Sequence, residues 1–234
     1  MRFVASGDSD HTWRAIESYG LQEYASMINF ALFRSAPARL LFVGLAVFAV
    51  YARHFDNSFH FDDSHSVEQN PHIRTLSNIS TFFFDATTFS VLPLNQSYRP
   101  VVTASLAVDY WLGGGLVPFY FHLSTFCWFI VQLSLMYLFF TRILSLASPG
   151  EQRGPLAAFI VAWYGLHPVT ADTVNYIIQR GDLYATLGVV AGFAAFQYLP
   201  RWRPFGFYLV PVALGALAKP TAIMFGPLLF FYVL

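Results

Sequence analysis

Apolar residues in this chain gather into long runs broken by short charged stretches, a pattern unlike the striped spacing of a water-facing helix. Runs of this kind read as helices for a hydrocarbon environment, since about 20 mostly apolar residues are needed to cross one. Six stand out, at roughly 37–54, 117–141, 155–168, 183–200, 204–218 and 220–234. The third and fifth are short, as expected of broken or re-entrant helices or of spans that end in a polar cavity. Ahead of the runs, Trp13, Ile16, Gly20, Tyr24, Met27 and Ala31 recur at helical spacing behind the capping residues Asp8, Ser9 and Asp10. That spacing predicts an amphipathic leader over 1–35 lying on the cytoplasmic membrane face, with a mobile polar leader as the alternative. The expected architecture is an all-α polytopic membrane protein of about six transmembrane helices. A first span at 36–55 is followed by a long helical outer-side loop at 56–116 and the remaining spans at 117–234.

Composition sharpens this picture. Of 234 residues, 56% are hydrophobic, 19% aromatic and 11% charged, against about 25% charged in an ordinary soluble domain. A water-facing globule and a disordered chain are both excluded. The net charge of zero excludes a nucleic-acid partner and leaves membrane lipids and other membrane proteins as the expected ones. Cys127 is the single cysteine, so there is no disulfide framework and no zinc quartet. Any chemistry falls to carboxylates, histidines and arginines.

Splitting the charges by side orients the chain. With the N-terminus cytoplasmic, that side carries eight basic and five acidic residues, and the opposite side five basic and eight acidic. The expectation is an integral membrane protein with both termini cytoplasmic and the long loop on the outer face.

That loop holds the most chemistry. Asp62 and Asp63 are adjacent, and two neighbouring acids cannot both ionise cheaply, which suits one of them to a general base. A helix N-cap pair before Ser64–Glu68 is the equal alternative. His60 and His65 flank the pair and would complete a divalent-metal site, although such residues commonly face solvent singly. Val101 to Trp111 is too short to span and contains Asp109, which suits a surface helix. Further along, His167, Asp172, Gln179, Arg180 and Asp182 fall at the membrane surface or just within it. Lys219, the only lysine, separates two apolar runs. A charge at a helix centre costs about 2.5 to 3.5 kcal/mol on insertion scales, so such groups are paired or functional. Arg180 and Asp182 neutralise one another in one reading. In the other, Arg99, Arg180 and Lys219 share an anionic lipid phosphate.

Six motifs occur in order: F-x-F-D-D-x-x-x-V-x-x-N-P at Phe59 to Pro71, S-Y-R-P at Ser97 to Pro100, P-x-x-F-H at Pro118 to His122, H-P-x-x-x-D-x-V at His167 to Val174, Q-R-G-D at Gln179 to Asp182 and A-K-P at Ala218 to Pro220. Over roughly residues 40–234 the chain resembles the N-terminal membrane half of GT-C glycosyltransferases of the TMTC O-mannosyltransferase type and their bacterial relatives with TPR repeats. The resemblance implies a polyprenyl-phosphate-linked sugar donor, an outer-face active site and inverting transfer to a hydroxyl. By position, the catalytic base would be Asp62 or Asp63, with Arg99, His167, Arg180, Asp182 and Lys219 around the phosphate or the acceptor. The chain departs from the pattern at Pro220, Asp172 and Leu123, and the family's members continue with more spans and a C-terminal domain. A truncated, inactive relative is therefore one expectation. The alternative is a non-catalytic transmembrane subunit of a larger photosynthetic, respiratory or transport complex built on the same scaffold, in which His122 would ligate a pigment-type metal. Asn78-Ile79-Ser80 and Asn95-Gln96-Ser97 are glycosylation sequons in a eukaryotic host.

Overall fold

The computed structural model describes residues 35–147 and 153–234. The leader expected from Trp13 to Ala31 lies outside the described residues. Within them the secondary structure is helical, without a strand. Eight helices carry the architecture: α1 (Ala36–Val50), α2 (Pro100–Gly113), α3 (Pro118–Ala147), α4 (Arg153–Leu166), α5 (Pro168–Asn175), α6 (Arg180–Tyr198), α7 (Leu209–Ala218) and α8 (Phe225–Val233).

Local chemistry accounts for the boundaries. Ser35 caps α1 by accepting the Ala38 N–H. Pro100 and Pro168 open α2 and α5, where a missing N–H costs nothing. Helix α2 stops at Gly114, whose φ of 63° is the left-handed conformation glycine enters freely, and a glycine turn leads straight into Pro118. After α7, Lys219 is extended and Pro220 starts a new 3-10 turn, so the last apolar run is broken at its head.

The expected runs coincide with helices, but only one is shown to have spanning length. Helix α3, 30 residues long, is apolar and long enough to cross a membrane, at about 45 Å by the rise of an α-helix. The other apolar helices are shorter: α1 has 15 residues and α7 has 10. Helix α5 forms a separate short element that the hydrophobic pattern did not single out, because its polar residues hid it.

Helix α3 is the axis. It packs against α6, α4, α2 and α5, while α1 leans on α4 and α7 on α6. Rings fill the α1–α3 contact, with Tyr51, His54 and Phe55 around Phe126. On the other flank, Phe193 of α6 meets Phe139 and Phe225. The α6–α7 contact is made instead by small residues. A Cβ on Gly188 would stand 2.5 Å from the Pro211 carbonyl and 2.9 Å from the Gly215 Cα. Such close backbone approach is how helices associate when the surroundings are as apolar as their side chains.

Gly188→Ala should therefore destabilise the protein by about 1 to 3 kcal/mol, the usual cost of overpacking. Gly44→Ala, whose new methyl meets nothing within 4 Å, should leave the melting temperature in detergent unchanged. Equal melting temperatures for both variants would contradict the close-contact reading.

Candidate functional site

The connection from α1 to α2 is built of single turns, and one side chain organises it. Asn70, fully buried, donates to the carbonyls of Ser66 (3.1 Å) and Thr88 (3.0 Å) and accepts the His72 N–H (2.9 Å). A second tie joins Val91 N–H to the His65 carbonyl at 3.2 Å. Arg74 adds a bond from Nε to the Asn70 carbonyl and lies over the Tyr110 ring of α2. Residues 64–90 are thus folded back on themselves and fastened to α2.

The two adjacent acids take opposite positions. Asp63 is buried, at 1% exposure. Its Oδ1 accepts the Ile178 N–H (3.0 Å) and its Oδ2 the His60 N–H (3.1 Å), which fixes the connection to the turn just before α6. Burial pushes its carboxyl up to about 6, partly offset by those two N–H groups and by the Arg180 charge. The shift therefore arises from desolvation; the neighbouring acid does not contribute to it. Asp62 has its side chain 58% exposed. Its N–H donates to the Tyr176 hydroxyl at 2.7 Å, and its carboxylate stands 3.3 Å from His65 Nε2. Just ahead of the pair the backbone is strained: Phe61 has φ 49°, its ring exposed against Tyr176. A bulky residue rarely adopts that conformation, and such strain gathers where a side chain must be aimed.

A cleft of about 330 Å³ opens beside this loop, lined by Asp62, His65, Asn95, Arg99, Gln179 and Lys219 among others. Five of the residues singled out from sequence, Asp62, His65, Arg99, Gln179 and Lys219, thus line one cleft. Arg99 lies over the Phe89 ring, and no carboxylate among the described residues pairs with it. Lys219 is held by both oxygens of Asp182, at 2.7 and 2.6 Å.

Arg180 is not in the cleft. Its guanidinium is entirely buried and its donors are used: Nη1 on Asp109 Oδ2 (2.5 Å) and Ser105 Oγ (3.2 Å), Nη2 on the Phe121 carbonyl (2.9 Å), Nε on the Ile177 carbonyl (3.2 Å). Asp182 is not its partner; the guanidinium pins α6 to α2 and α3. Asp109, taken from sequence as the mark of a surface helix, is buried as its counter-ion.

His60 and His167 lie elsewhere. They line a second cleft of about 560 Å³ with Asp172, Asn175 and Tyr176, on the far side of the Phe61 loop. The His167 side chain caps α5 by accepting the Val169 N–H. Among the described residues no three His, Cys, Asp or Glu side chains gather as a metal-binding group. His122 is fully buried, its ring 4.5 Å from that of His54. A third opening, about 400 Å³ and almost wholly apolar, runs between α2, α3, α6 and α7 past Val101, Trp128, Leu187 and Leu214.

Asn70, Asn95, Tyr176 and Asp109 were not proposed as site residues from sequence. Asn70 carried a signal, as the Asn of an Asn-Pro dipeptide in the first motif; the others are partners only in three dimensions.

Two expectations follow. Breaking the buried ion pair from either side, by Asp109→Leu or Arg180→Met, should cost about 3 to 5 kcal/mol, and the double variant should cost less than the sum; additive losses in denaturation would contradict the pairing. Asp63 holds its proton more tightly folded than unfolded, so its contribution to stability should fall as pH rises from about 4 to about 6, by about 3 kcal/mol. Asp63→Asn should flatten that limb of the melting-temperature profile, and an unchanged limb would contradict it.

No known family model matches the chain, and no solved structure matches it. Among curated proteins it is similar to human Protein O-mannosyl-transferase TMTC4, 26% identical over 165 residues covering 67% of this chain and 22% of the relative. It is also similar to Drosophila melanogaster Protein O-mannosyl-transferase Tmtc2, 25% identical over 199 residues, with 78% and 20% covered. Mus musculus Protein O-mannosyl-transferase TMTC1 is 28% identical over 159 residues, covering 63% and 15%. The chain spans about a fifth of the length of the curated relatives it matches.

Proposed function

We propose that this chain forms the membrane-embedded catalytic part of a glycosyltransferase that moves mannose from a polyprenyl-phosphate donor to a hydroxyl group of a protein acceptor. The observation that carries the reading is the cleft in which an exposed carboxylate, Asp62, shares a wall with Arg99 and Lys219. The likeness to O-mannosyl-transferases supplies the sugar and the acceptor class.

In this reading the acceptor oxygen forms a bond to the anomeric carbon as the carbon–oxygen bond to phosphate breaks. The bonding pair leaves with the polyprenyl phosphate, and Asp62 takes the acceptor proton. Transfer is inverting. Arg99 takes up charge developing on the departing phosphate through its planar fork of donors. Lys219 already shares its charge with Asp182 and so contributes less. Asp63 positions the loop from within it. The apolar opening begins at Val101, two residues past Arg99 on α2, and ends at Gly215, one helical turn before Lys219 on α7. That continuity suits an isoprenoid tail with its phosphate in the cleft.

We further read the six apolar runs as spans, with both termini cytoplasmic and the cleft on the outer face. The support is the charge split by side and the crossing length of α3.

The test is transfer of mannose from dolichyl phosphate mannose to a Ser/Thr peptide by the detergent-solubilised full chain. Asp62→Asn should lower kcat by about 10² to 10⁴-fold, the range of a lost general base, and Arg99→Ala should raise KM for the donor. Equal turnover by the parent and Asp62→Asn would overturn the assignment. A parent that neither turns over nor binds the donor would leave the structural-subunit reading in its place.

A further inference from the structure

His65 lies one turn beyond Asp62 and is buried at 6% exposure. Both of its ring nitrogens are engaged. Nδ1 has the Ser90 hydroxyl at 2.9 Å and the Ser66 hydroxyl at 3.0 Å. Ser90 Oγ accepts the Leu92 N–H at 3.0 Å, and its own hydrogen is within reach of Nδ1 at 2.9 Å and, at a longer 3.4 Å, of the Leu92 carbonyl. Nε2 faces Asp62 Oδ1 at 3.3 Å. A carboxylate oxygen and an imidazole lone pair repel, so a hydrogen stands between them, and Nε2 is the donor. The Asn95 amide nitrogen stands 3.0 Å from Nε2; with a hydrogen on Nε2, a half-turn of that amide brings its oxygen there instead.

We infer that His65 is a positioning residue: anchored through Nδ1 by the serine pair, it donates through Nε2 to Asp62 and aims that carboxylate into the cleft. The arrangement closes around the strained Phe61. The Asp62 backbone is fixed by Tyr176, and its otherwise exposed carboxylate is fixed by His65. An exposed carboxylate samples several rotamers; one buried donor at its edge selects the rotamer facing Arg99 and Lys219, and pre-organisation of this kind acts on kcat. Nδ1 is held from two sides by the Ser66 and Ser90 hydroxyls, which fixes the plane of the ring. The role deepens the glycosyltransferase reading and rests on it for its catalytic consequence, whereas the contact itself does not.

Two variants separate the ends of the ring. A glutamine amide reaches the position of Nε2, and an asparagine amide only that of Nδ1. His65→Gln should keep kcat for mannosyl transfer within about threefold, while His65→Asn should lower it more than tenfold, both with donor KM within about twofold of the parent. Equal losses in the two variants, or a loss confined to KM, would overturn the positioning role. The contact is read independently of turnover from imidazole 15N spectra of the labelled full chain in micelles, with His65 identified by the signals that vanish in His65→Gln. The expected spectrum shows protonated Nε2 and bare Nδ1, with Nε2 moving in Asp62→Ala. A protonated Nδ1, or an Nε2 signal indifferent to Asp62→Ala, would overturn the contact. A parent without turnover but with the expected spectrum would overturn the catalytic role together with the enzyme reading while leaving the contact standing.

Discussion

Everything around the cleft depends on one buried guanidinium. Arg180, at the first position of α6, reaches Asp109 and Ser105 on α2, the Phe121 carbonyl on α3 and the Ile177 carbonyl of the preceding turn. Three helices, α2, α3 and α6, thus meet at one side chain. With these helices read as membrane spans, they gain little from hydrophobic transfer, since lipid and side chain are alike, and close contacts and polar ties decide the arrangement. The ion pair supplies the polar tie and the Gly188–Gly215 approach the close contact. Neither is replaceable by a residue that is merely apolar and of similar size.

From that pin the site follows outward. Ile178, two residues before Arg180, offers its N–H to Asp63, so the buried acid holds the loop to the same junction. With Asp63 spent on structure, Asp62 is left facing the cleft, and Phe61 absorbs the backbone strain of turning one acid in and the next out. Lys219 reaches the cleft because the α6–α7 approach brings the end of α7 beside Asp182. A polar wall has been assembled on elements that are otherwise apolar.

The sequence made some of this legible and hid the rest. The positions of the apolar helices could be read because run length alone marks them. Pro100, Gly114 and Pro168 set the ends of α2 and the start of α5, boundaries that run length did not give. Asp62, Arg99 and Lys219 could be gathered as one candidate set, since charge in an apolar chain is scarce and costly. The roles were harder. Arg180 and Asp182, two residues apart, were weighed as partners, yet on a helix residues at that spacing point to different faces, and each found its counter-ion on another element. The distinction between Asp62 and Asp63 was invisible because it is set by what Tyr176, Ile178 and His65 contribute from the fold. Length and apolarity sufficient to cross a membrane, too, are shown only for α3; α1, α7 and α8 are shorter than the runs that foretold them.

The proposed site has two parts, a polar cleft for a phosphate and an apolar opening for its tail, and the most direct measurement is where a donor lipid sits. A dolichyl phosphate carrying a photoactivatable diazirine in its first isoprene units, irradiated with the full chain, should label Trp128, Leu187 or Leu214, and unlabelled dolichyl phosphate mannose should suppress that labelling. Labelling spread along the lipid-facing side of α3, unaffected by the unlabelled donor, would contradict a donor site between α2, α3, α6 and α7.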